Sequence, residues 1–449
     1  MSGSMVVDHT QIGAAFRRLS LPIAVQMLGD QLLGTADTIA IGSLGTVALA
    51  GATAANTLFV AIAYAGFGFM SGTSIVAAQR VGAGDLDGFG RTLRAGIIAP
   101  LLLGLCSLLL SLPFALPAMH WMIGDLPSAG ASATYLILRC ASFLPIAISG
   151  TLIVGTGAAG NRVLGVLTLV LINLVHIPLL LVLALGWGTH HPLGIVGAGI
   201  SSLLSETIAA VFAVTYVAFK PRYCVFAQRS LSWRLAMRCA RLGFPEGVFL
   251  LAVLAPDIFI VVMLAPLGAI YVAAFRALNV VSDLTFVVPV PLQTAAQIVI
   301  GQRLGAHDPQ GAQWFLHRAR RVSFVVTTLT GAATAALAWP LAYAFTLNAA
   351  VASIAALPLA LHMVTLPIKG WAMVSLAPIR ASGDTRFSMV VGLICGALVL
   401  PLAWFAIEHL HLALYSVPLG WIAAWTIRAL LTQWKLRDGA WMRRAPLAA

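Results

Sequence analysis

The chain has 449 residues, of which 60% are hydrophobic and only 9% are charged, and its mean hydropathy is +0.97. Because soluble domains carry about 25% charged residues, this composition excludes an ordinary soluble protein and predicts an all-α membrane protein. The formal net charge of +12 would suit a nucleic-acid partner, but the positions of the basic residues explain it differently, as shown below.

Twelve apolar segments, separated by polar turns, predict twelve transmembrane helices. Each is close to, or longer than, the ~20 residues that a helix needs to cross a bilayer. The first is too long for the apolar region of a signal peptide and is followed by no small-residue cleavage site, so we expect it to be retained. The predicted spans are 18–41, 47–76, 93–117, 129–157, 163–186, 193–219, 241–265, 270–299, 319–346, 351–378, 386–407 and 413–434.

Lysine and arginine are distributed very unevenly along the chain. Of the 26 basic residues, 22 lie in the terminal segments or in every second loop, which places them on one side of the membrane. The positive-inside rule then predicts cytoplasmic N and C termini in a multi-pass protein of the inner (plasma) membrane. This asymmetry accounts for the net charge, so we expect the lipid bilayer as a partner and no nucleic acid.

An internal repeat with a constant offset of 223 residues runs through the chain. RLSLP at Arg18–Pro22 aligns with RLGFP at Arg241–Pro245, and QRVGAGD at Gln79–Asp85 aligns with QRLGAHD at Gln302–Asp308. Six spans per half give both halves the same orientation, an arrangement that places a substrate between the halves in transporters. The predicted domains are an N-terminal lobe at 1–219, a cytoplasmic linker at 220–240, and a C-terminal lobe with a cytoplasmic tail at 241–449.

Two carboxylates, Asp30 and Asp37, interrupt the first apolar span. Their separation of seven residues is nearly two helical turns, so both acids lie on one face of the helix. An acid in the middle of a bilayer costs roughly 2.5–3.5 kcal/mol, so it normally faces protein or water and has a function. The alternative is a structural role, with each acid satisfied by neighbouring helices.

These features together resemble the multidrug and toxic compound extrusion (MATE) family. The most specific mark is the loop repeated at Ala78–Asp85 and Gly301–Asp308, and the spacing of fifteen residues from Pro22 to Asp37 and RASGDTRF at Arg380–Phe387 also fit. The resemblance covers nearly the whole chain. It implies two pseudo-symmetric six-helix bundles in a V shape, which export cationic or amphipathic drugs in exchange for H⁺ or Na⁺ by alternating access.

The resemblance also implies a cation-coupling site in the first lobe. Asp37 matches the aspartate of the family's first span, and Asn173, His176 and Ser202 match polar positions of its fifth and sixth spans, although His176 stands where Asn or Asp is usual. The unperturbed pKa of histidine, near ~6.5, suits it as a proton partner for Asp37, and imidazole is a poor ligand for Na⁺. We therefore favour H⁺ as the coupling ion, with a structural hydrogen-bonding role as the alternative for His176.

The second lobe departs from the family pattern, so a cation site there is an open question. Lys369 replaces the aspartate of the tenth span, and Asp257 lies one turn beyond the position of the seventh-span glutamate, which is Val253 here. Lys369 and Asp257 are candidates for a buried ion pair or for a substrate contact. Alternatively, the Lys369 side chain extends to the membrane–water interface. Asp283 and Asp30 are further accessory polar candidates.

Three other classes of protein compete with an exporter. A flippase for lipid-linked saccharides has a related architecture, but the acidic first lobe and the count of twelve spans favour an exporter. A major-facilitator porter is disfavoured by the second copy of the repeated loop. Because HExxH, GxSxG and P-loop motifs are absent from the sequence, we expect no enzymatic activity, and we expect no cofactor or metal site beyond the coupling ion. The remaining expectation is a monomer that binds a small molecule.

Overall fold

The computed structural model describes residues 12–124, 127–188, 192–225 and 232–443, and within them the secondary structure consists of helices and turns. These residues form two compact units. One is Leu21–Gly247, and the other joins the residues before Leu21 to those after Gly247. The predicted linker contains a 3₁₀ turn at Pro221–Tyr223, and its residues 226–231 lie outside the described residues. The predicted domain limits stay a prediction.

Helices account for nearly all of both halves. The first half contains α1 (Ile12–Ser43), α2 (Thr46–Gly82), α3 (Leu86–Gly96), α4 (Ile98–Ile123), α5 (Ala129–Ala158), α6 (Val163–Leu183) and α7 (Gly194–Ala218). The second half contains α8 (Trp233–Leu264), α9 (Ala269–Thr285), α10 (Pro289–Gly305), α11 (Pro309–Ala336), α12 (Ala338–Thr346), α13 (Ala349–Met363), α14 (Thr365–Ala381), α15 (Thr385–Glu408), α16 (Ser416–Arg437) and α17 (Ala440–Arg443).

These helices confirm the predicted all-α membrane fold. Within the described residues, ten helices or continuous helix pairs are long and apolar enough to cross a bilayer, and the bent pair α11 and α12 is an eleventh candidate. Helix α1, with 32 residues, corresponds to the first predicted span and is less apolar because it carries Asp30 and Asp37. The twelve predicted spans therefore all have a helical counterpart, although the ninth is bent by 67° between α11 and α12.

Prolines explain where the long spans are interrupted. A proline removes the hydrogen bond to the carbonyl four residues before it, which weakens the helix at that point. Helices α3, α9, α11 and α13 each end four residues before a proline, at positions 100, 289, 340 and 367 respectively. Other prolines, such as Pro22 and Pro178, are accommodated inside continuous helices.

The repeated loop has the same hydrogen bonds in both halves. Arg80 Nη1 contacts Asp85 Oδ2 at 2.5 Å, and the backbone N–H of Gly88 donates to Asp85 Oδ1 at 2.7 Å. In the second copy, Arg303 Nη1 contacts Asp308 Oδ2 at 2.5 Å and the N–H of Gly311 donates to Asp308 Oδ1 at 2.8 Å. Each aspartate caps the following helix and binds an arginine of the preceding one, which fixes the turn between them.

Backbone geometry shows the repeat as clearly as the sequence does. Five positions with left-handed φ recur 223 residues apart in the two halves. These pairs are Gly45 and Gly268, Gly84 and His307, Gly124 and Leu347, Gly160 and Gly383, and Gly188 and His411. The turns that connect the helices are therefore conserved between the halves even where the residue type has changed.

Candidate ion-coupling site

Helices α1 and α6 pack closely in the first unit. A β-carbon at Gly29 of α1 would overlap the side chain of Leu169 on α6, and one at Gly165 of α6 would overlap the amide of Gln26. The absence of side chains at these two glycines permits this approach. It places the second half of α1, which carries Asp37, beside the middle of α6.

Asp37 and His176 form a direct contact across these two helices. Asp37 Oδ1 lies 2.7 Å from His176 Nε2, and the exposed fractions are 22% for the aspartate and 2% for the histidine. The histidine is thus enclosed while the carboxylate retains access to its surroundings. The predicted proximity of these two residues is present in the structure.

Ser205 of α7 holds the opposite edge of the imidazole. Its hydroxyl lies 3.3 Å from His176 Nδ1 and donates to the carbonyl of Ser202 at 3.0 Å. Because the serine proton is engaged with that carbonyl, the serine oxygen accepts from an N–H at Nδ1. One proton shared between Nε2 and the Asp37 carboxyl accounts for the 2.7 Å contact.

The other two predicted residues of this site satisfy their own helices. Asn173, half-buried one turn before His176, donates its amide N–H to the carbonyl of Leu169 at 2.9 Å. The hydroxyl of Ser202 donates to the carbonyl of Ala198 at 3.2 Å. Ser202 therefore contributes to the site through its backbone carbonyl, which accepts the hydrogen bond from the Ser205 hydroxyl and so orients it.

A second charged group lies in the same unit. The guanidinium of Arg139 on α5 stacks 4.0 Å from the ring centroid of Phe59, and it interacts electrostatically with Glu206 on α7. Glu206 also interacts with Asp30 and His176. The Arg139 side chain therefore points toward the interior of the unit. The sequence indicated neither this role for Arg139 nor the involvement of Ser205, although Ser205 follows Ser202 by three residues, the spacing of one helical face.

In the second unit, Lys369 contacts a histidine and not the predicted aspartate. Its Nζ lies 3.3 Å from His362 Nε2, whereas the ion pairs found within 4 Å among the described residues do not include Lys369 with Asp257. Asp283 and Asp257 interact with the amine electrostatically over a longer distance. The predicted direct pair is thus replaced by an amine–imidazole contact with two acids nearby, since α8 places Asp257 outside contact distance.

Two copies of one six-span unit, with a partly buried acid–imidazole pair in one copy, are an arrangement found in membrane transporters. The MatE family model matches residues 22–182 and 248–405, which is well over half of the chain. The chain therefore belongs to the MatE family of efflux transporters. This assignment excludes the major-facilitator alternative.

Several curated relatives share this sequence at low identity. The probable multidrug resistance protein NorM of Neisseria meningitidis is 23% identical over 424 residues, which cover 93% of this chain and 92% of that protein. The protein of the same name from Bradyrhizobium diazoefficiens is 26% identical, covering 90% of this chain and 88% of its own length. The match to NorM of Aromatoleum aromaticum, at 26% identity, spans 64% of this chain and 63% of that protein.

Solved structures share the fold. A crystal structure of a MATE protein in complex with MaL6 superposes with a TM-score of 0.89 at 21% identity, covering 98% of this chain and 100% of that chain. An outward-facing multidrug resistance MATE family transporter superposes with a TM-score of 0.87 at 22% identity, covering 97% and 99% respectively. At this identity the likeness establishes the fold alone.

Proposed function

We propose that the protein is a secondary active exporter that moves cationic or amphipathic small molecules out of the cell in exchange for protons by alternating access. The observation that carries this proposal is the 2.7 Å contact between Asp37 and His176. Two titratable groups in hydrogen-bond contact inside a membrane helix bundle form a site that can take up and release one proton. The names of the NorM relatives support a multidrug substrate.

The proton and the substrate compete in this mechanism. When the pair loses its shared proton, its net charge changes from zero to −1, and a cationic substrate then stabilises the carboxylate that faces a neutral imidazole. When a proton enters, the negative charge is neutralised and the substrate is released. Protonation also removes the cost of keeping an anion in α1, so it favours a different packing of that helix.

The donor set supports H⁺ over Na⁺ as the coupling ion. One carboxylate oxygen of Asp37 is engaged by a ring nitrogen, and the hydroxyls of Ser202 and Ser205 donate to backbone carbonyls. Sodium prefers oxygen ligands, and the ring nitrogen of His176, which contacts Asp37 directly, is a poor ligand for it. The acidic character of the site also supports a cationic substrate over a lipid-linked saccharide, the cargo of the flippase alternative.

Efflux assays in everted membrane vesicles test the proposal, with a H⁺ gradient and a Na⁺ gradient applied separately. We expect the H⁺ gradient alone to drive uptake of a fluorescent organic cation, and we expect Asp37→Asn to abolish it. Asp30→Asn is the matched control, because Asp30 is an acid of the same helix that does not contact the imidazole. This variant should lose less H⁺-driven uptake than Asp37→Asn. Wild-type rates for Asp37→Asn at equal membrane abundance would refute the coupling role.

We also propose that both termini are cytoplasmic, on the basis of the distribution of basic residues, and that the protein acts as a monomer in the inner membrane. In a background without the five native cysteines, Gln310→Cys should react with an impermeant reagent from the cytoplasmic side. Trp187→Cys should react from the outside. Both side chains are exposed, so a reversed pattern would overturn the orientation.

A further inference from the structure

A buried ammonium group lies in a polar pocket of the second unit. Lys369 on α14 is 2% exposed, and its Nζ lies 4.8 Å from the ring centroid of Phe286 and 5.8 Å from that of Trp425. The same Nζ is 3.3 Å from His362 Nε2. Two aromatic faces and an imidazole nitrogen therefore surround the amine, which is the arrangement that binds alkylammonium ions through cation–π attraction.

The imidazole contributes a lone pair to this pocket. Because an ammonium group only donates hydrogen bonds, His362 Nε2 accepts from Lys369, and the ring is neutral with its proton on Nδ1. The hydroxyl of Ser282 lies 3.1 Å from the same Nε2, whereas Nδ1 is buried with no hydrogen-bond partner among the described residues. The ring is thus oriented by two contacts at Nε2, from Lys369 and Ser282, and not by a contact at Nδ1.

The charges nearby favour a cation over a neutral group. Asp283 on α9 and Asp257 on α8 both interact electrostatically with the amine, and Arg276 is the opposing cation that interacts with both acids. The two acids favour a positive charge at this position, and Arg276 offsets part of their effect. Lys369 supplies that charge.

We propose that this pocket is a cation-binding site whose ligand is built into the chain. The amine of Lys369 occupies it as a tethered ammonium ion, and without the lysine side chain the same groups would bind a free primary ammonium ion. The second unit would then carry a permanent internal cation and would not exchange an ion during transport. This assignment does not depend on which compound is exported or on which ion drives export.

A tethered ligand excludes free ions very effectively. A group fixed on a short linker acts at an effective concentration in the millimolar range or above, so dilute free cations do not displace it. The wall of the pocket is also fixed by the chain, because Phe286 follows the end of α9 and His362 is next to the last residue of α13. Both positions lie beside proline-determined helix ends, which remain in place when the lysine is removed.

Chemical complementation of Lys369→Ala tests the proposal on the purified full-length protein. The variant lacks three carbons and the nitrogen, which n-propylammonium replaces. We expect Lys369→Ala to melt below the wild type. We expect n-propylammonium chloride to raise its melting temperature with the logarithm of its concentration, by about 2–4 °C at roughly 100 times its Kd. n-Propanol and tetrabutylammonium chloride, which control for the alkyl chain and for ionic strength, should leave the melting temperature of the variant unchanged.

Lys435→Ala is the matched control variant. Lys435 also lies near a carboxylate and a ring, 3.3 Å from Asp384 and 5.5 Å from the Phe387 centroid, but it is partly exposed. Neither this variant nor the wild type should respond to n-propylammonium. An equal response of all three proteins, or no response of Lys369→Ala, would overturn the proposal.

Lys369→Met gives an independent answer if the alanine variant does not fold. Methionine fills most of the volume of the lysine side chain but carries no charge. We expect it to melt below the wild type and to be insensitive to n-propylammonium because the pocket is filled. A melting temperature equal to that of the wild type would show that the pocket does not require a cation, which would also overturn the proposal.

Discussion

The two units share their turns but not their interior chemistry. The residues that lie 223 positions after Asp37 and His176 are Ile260 and Val399, which are both fully buried in an apolar core. Conversely, the residues 223 positions before Lys369 and His362 are Ile146 and Arg139. The first unit thus contains an acid–imidazole pair and the second an ammonium–imidazole pair at non-equivalent places. A duplicated fold keeps the loops that define its helices, while the polar groups inside each copy are free to diverge.

The largest expected effect tests the charge balance of the second unit. Lys369→Met removes the cation–π contacts and the bond to His362 and weakens the charge balance of Asp257 and Asp283, which should cost about 2 kcal/mol of stability or more. The double variant Lys369→Met/Asp257→Asn should recover part of that loss. Thermal melting in detergent measures both proteins, and a double variant no more stable than the single one would show that Asp257 does not balance Lys369.

Substitutions of the two buried histidines should affect the pH optimum of transport differently. His176→Ala should still transport but with a shifted pH optimum, because Asp37 then binds the proton without its partner. His362→Gln is the matched change in the second unit and should leave the pH optimum unchanged, even if it lowers stability. Measuring initial efflux rates over a range of pH compares them. A shift in both variants would assign proton coupling to both units.

The repeated loops should respond equally, because their geometry is the same in both units. Asp85→Ala and Asp308→Ala each remove a helix cap and an arginine contact, and each should cost roughly 0.5–2 kcal/mol. Denaturation of the two single variants provides the comparison. A loss confined to one of them would mean that the second copy of the loop no longer carries the function of the first.

The smallest effect concerns the two serines of α7. Ser205→Ala removes the acceptor of His176 Nδ1 and should cost about 1 kcal/mol, together with a change in the pH profile. Ser202→Ala is its control, because Ser202 acts on the site through its backbone carbonyl, which alanine retains. If Ser202→Ala alters the pH profile as much as Ser205→Ala, the serine hydroxyl at 202 takes part directly.

Much of this organisation could be predicted from the sequence. The apolar segments and the repeat follow from the sequence pattern, while the choice of Asp37 and His176 as candidates rests on the cost of an acid in the membrane and on the family resemblance. Contacts between helices could not be predicted in the same way, because they depend on how each helix is rotated about its axis. Lys369 illustrates the difference. The separation of seven residues from His362 indicates one helical face, yet the contact also depends on the interruption at Val364, and Asp257 on another helix lies beyond ion-pair distance.

The left-handed turns have a practical consequence for handling the protein. All five such positions of the repeat are glycine in the first unit, whereas the second unit has Leu347, His307 and His411 at three of them. A side chain in this conformation costs roughly 1–2 kcal/mol per residue relative to the ordinary backbone, which glycine avoids. Replacing these three residues by glycine should therefore stabilise the protein in detergent. The greater freedom of glycine in the unfolded chain reduces this gain in stability.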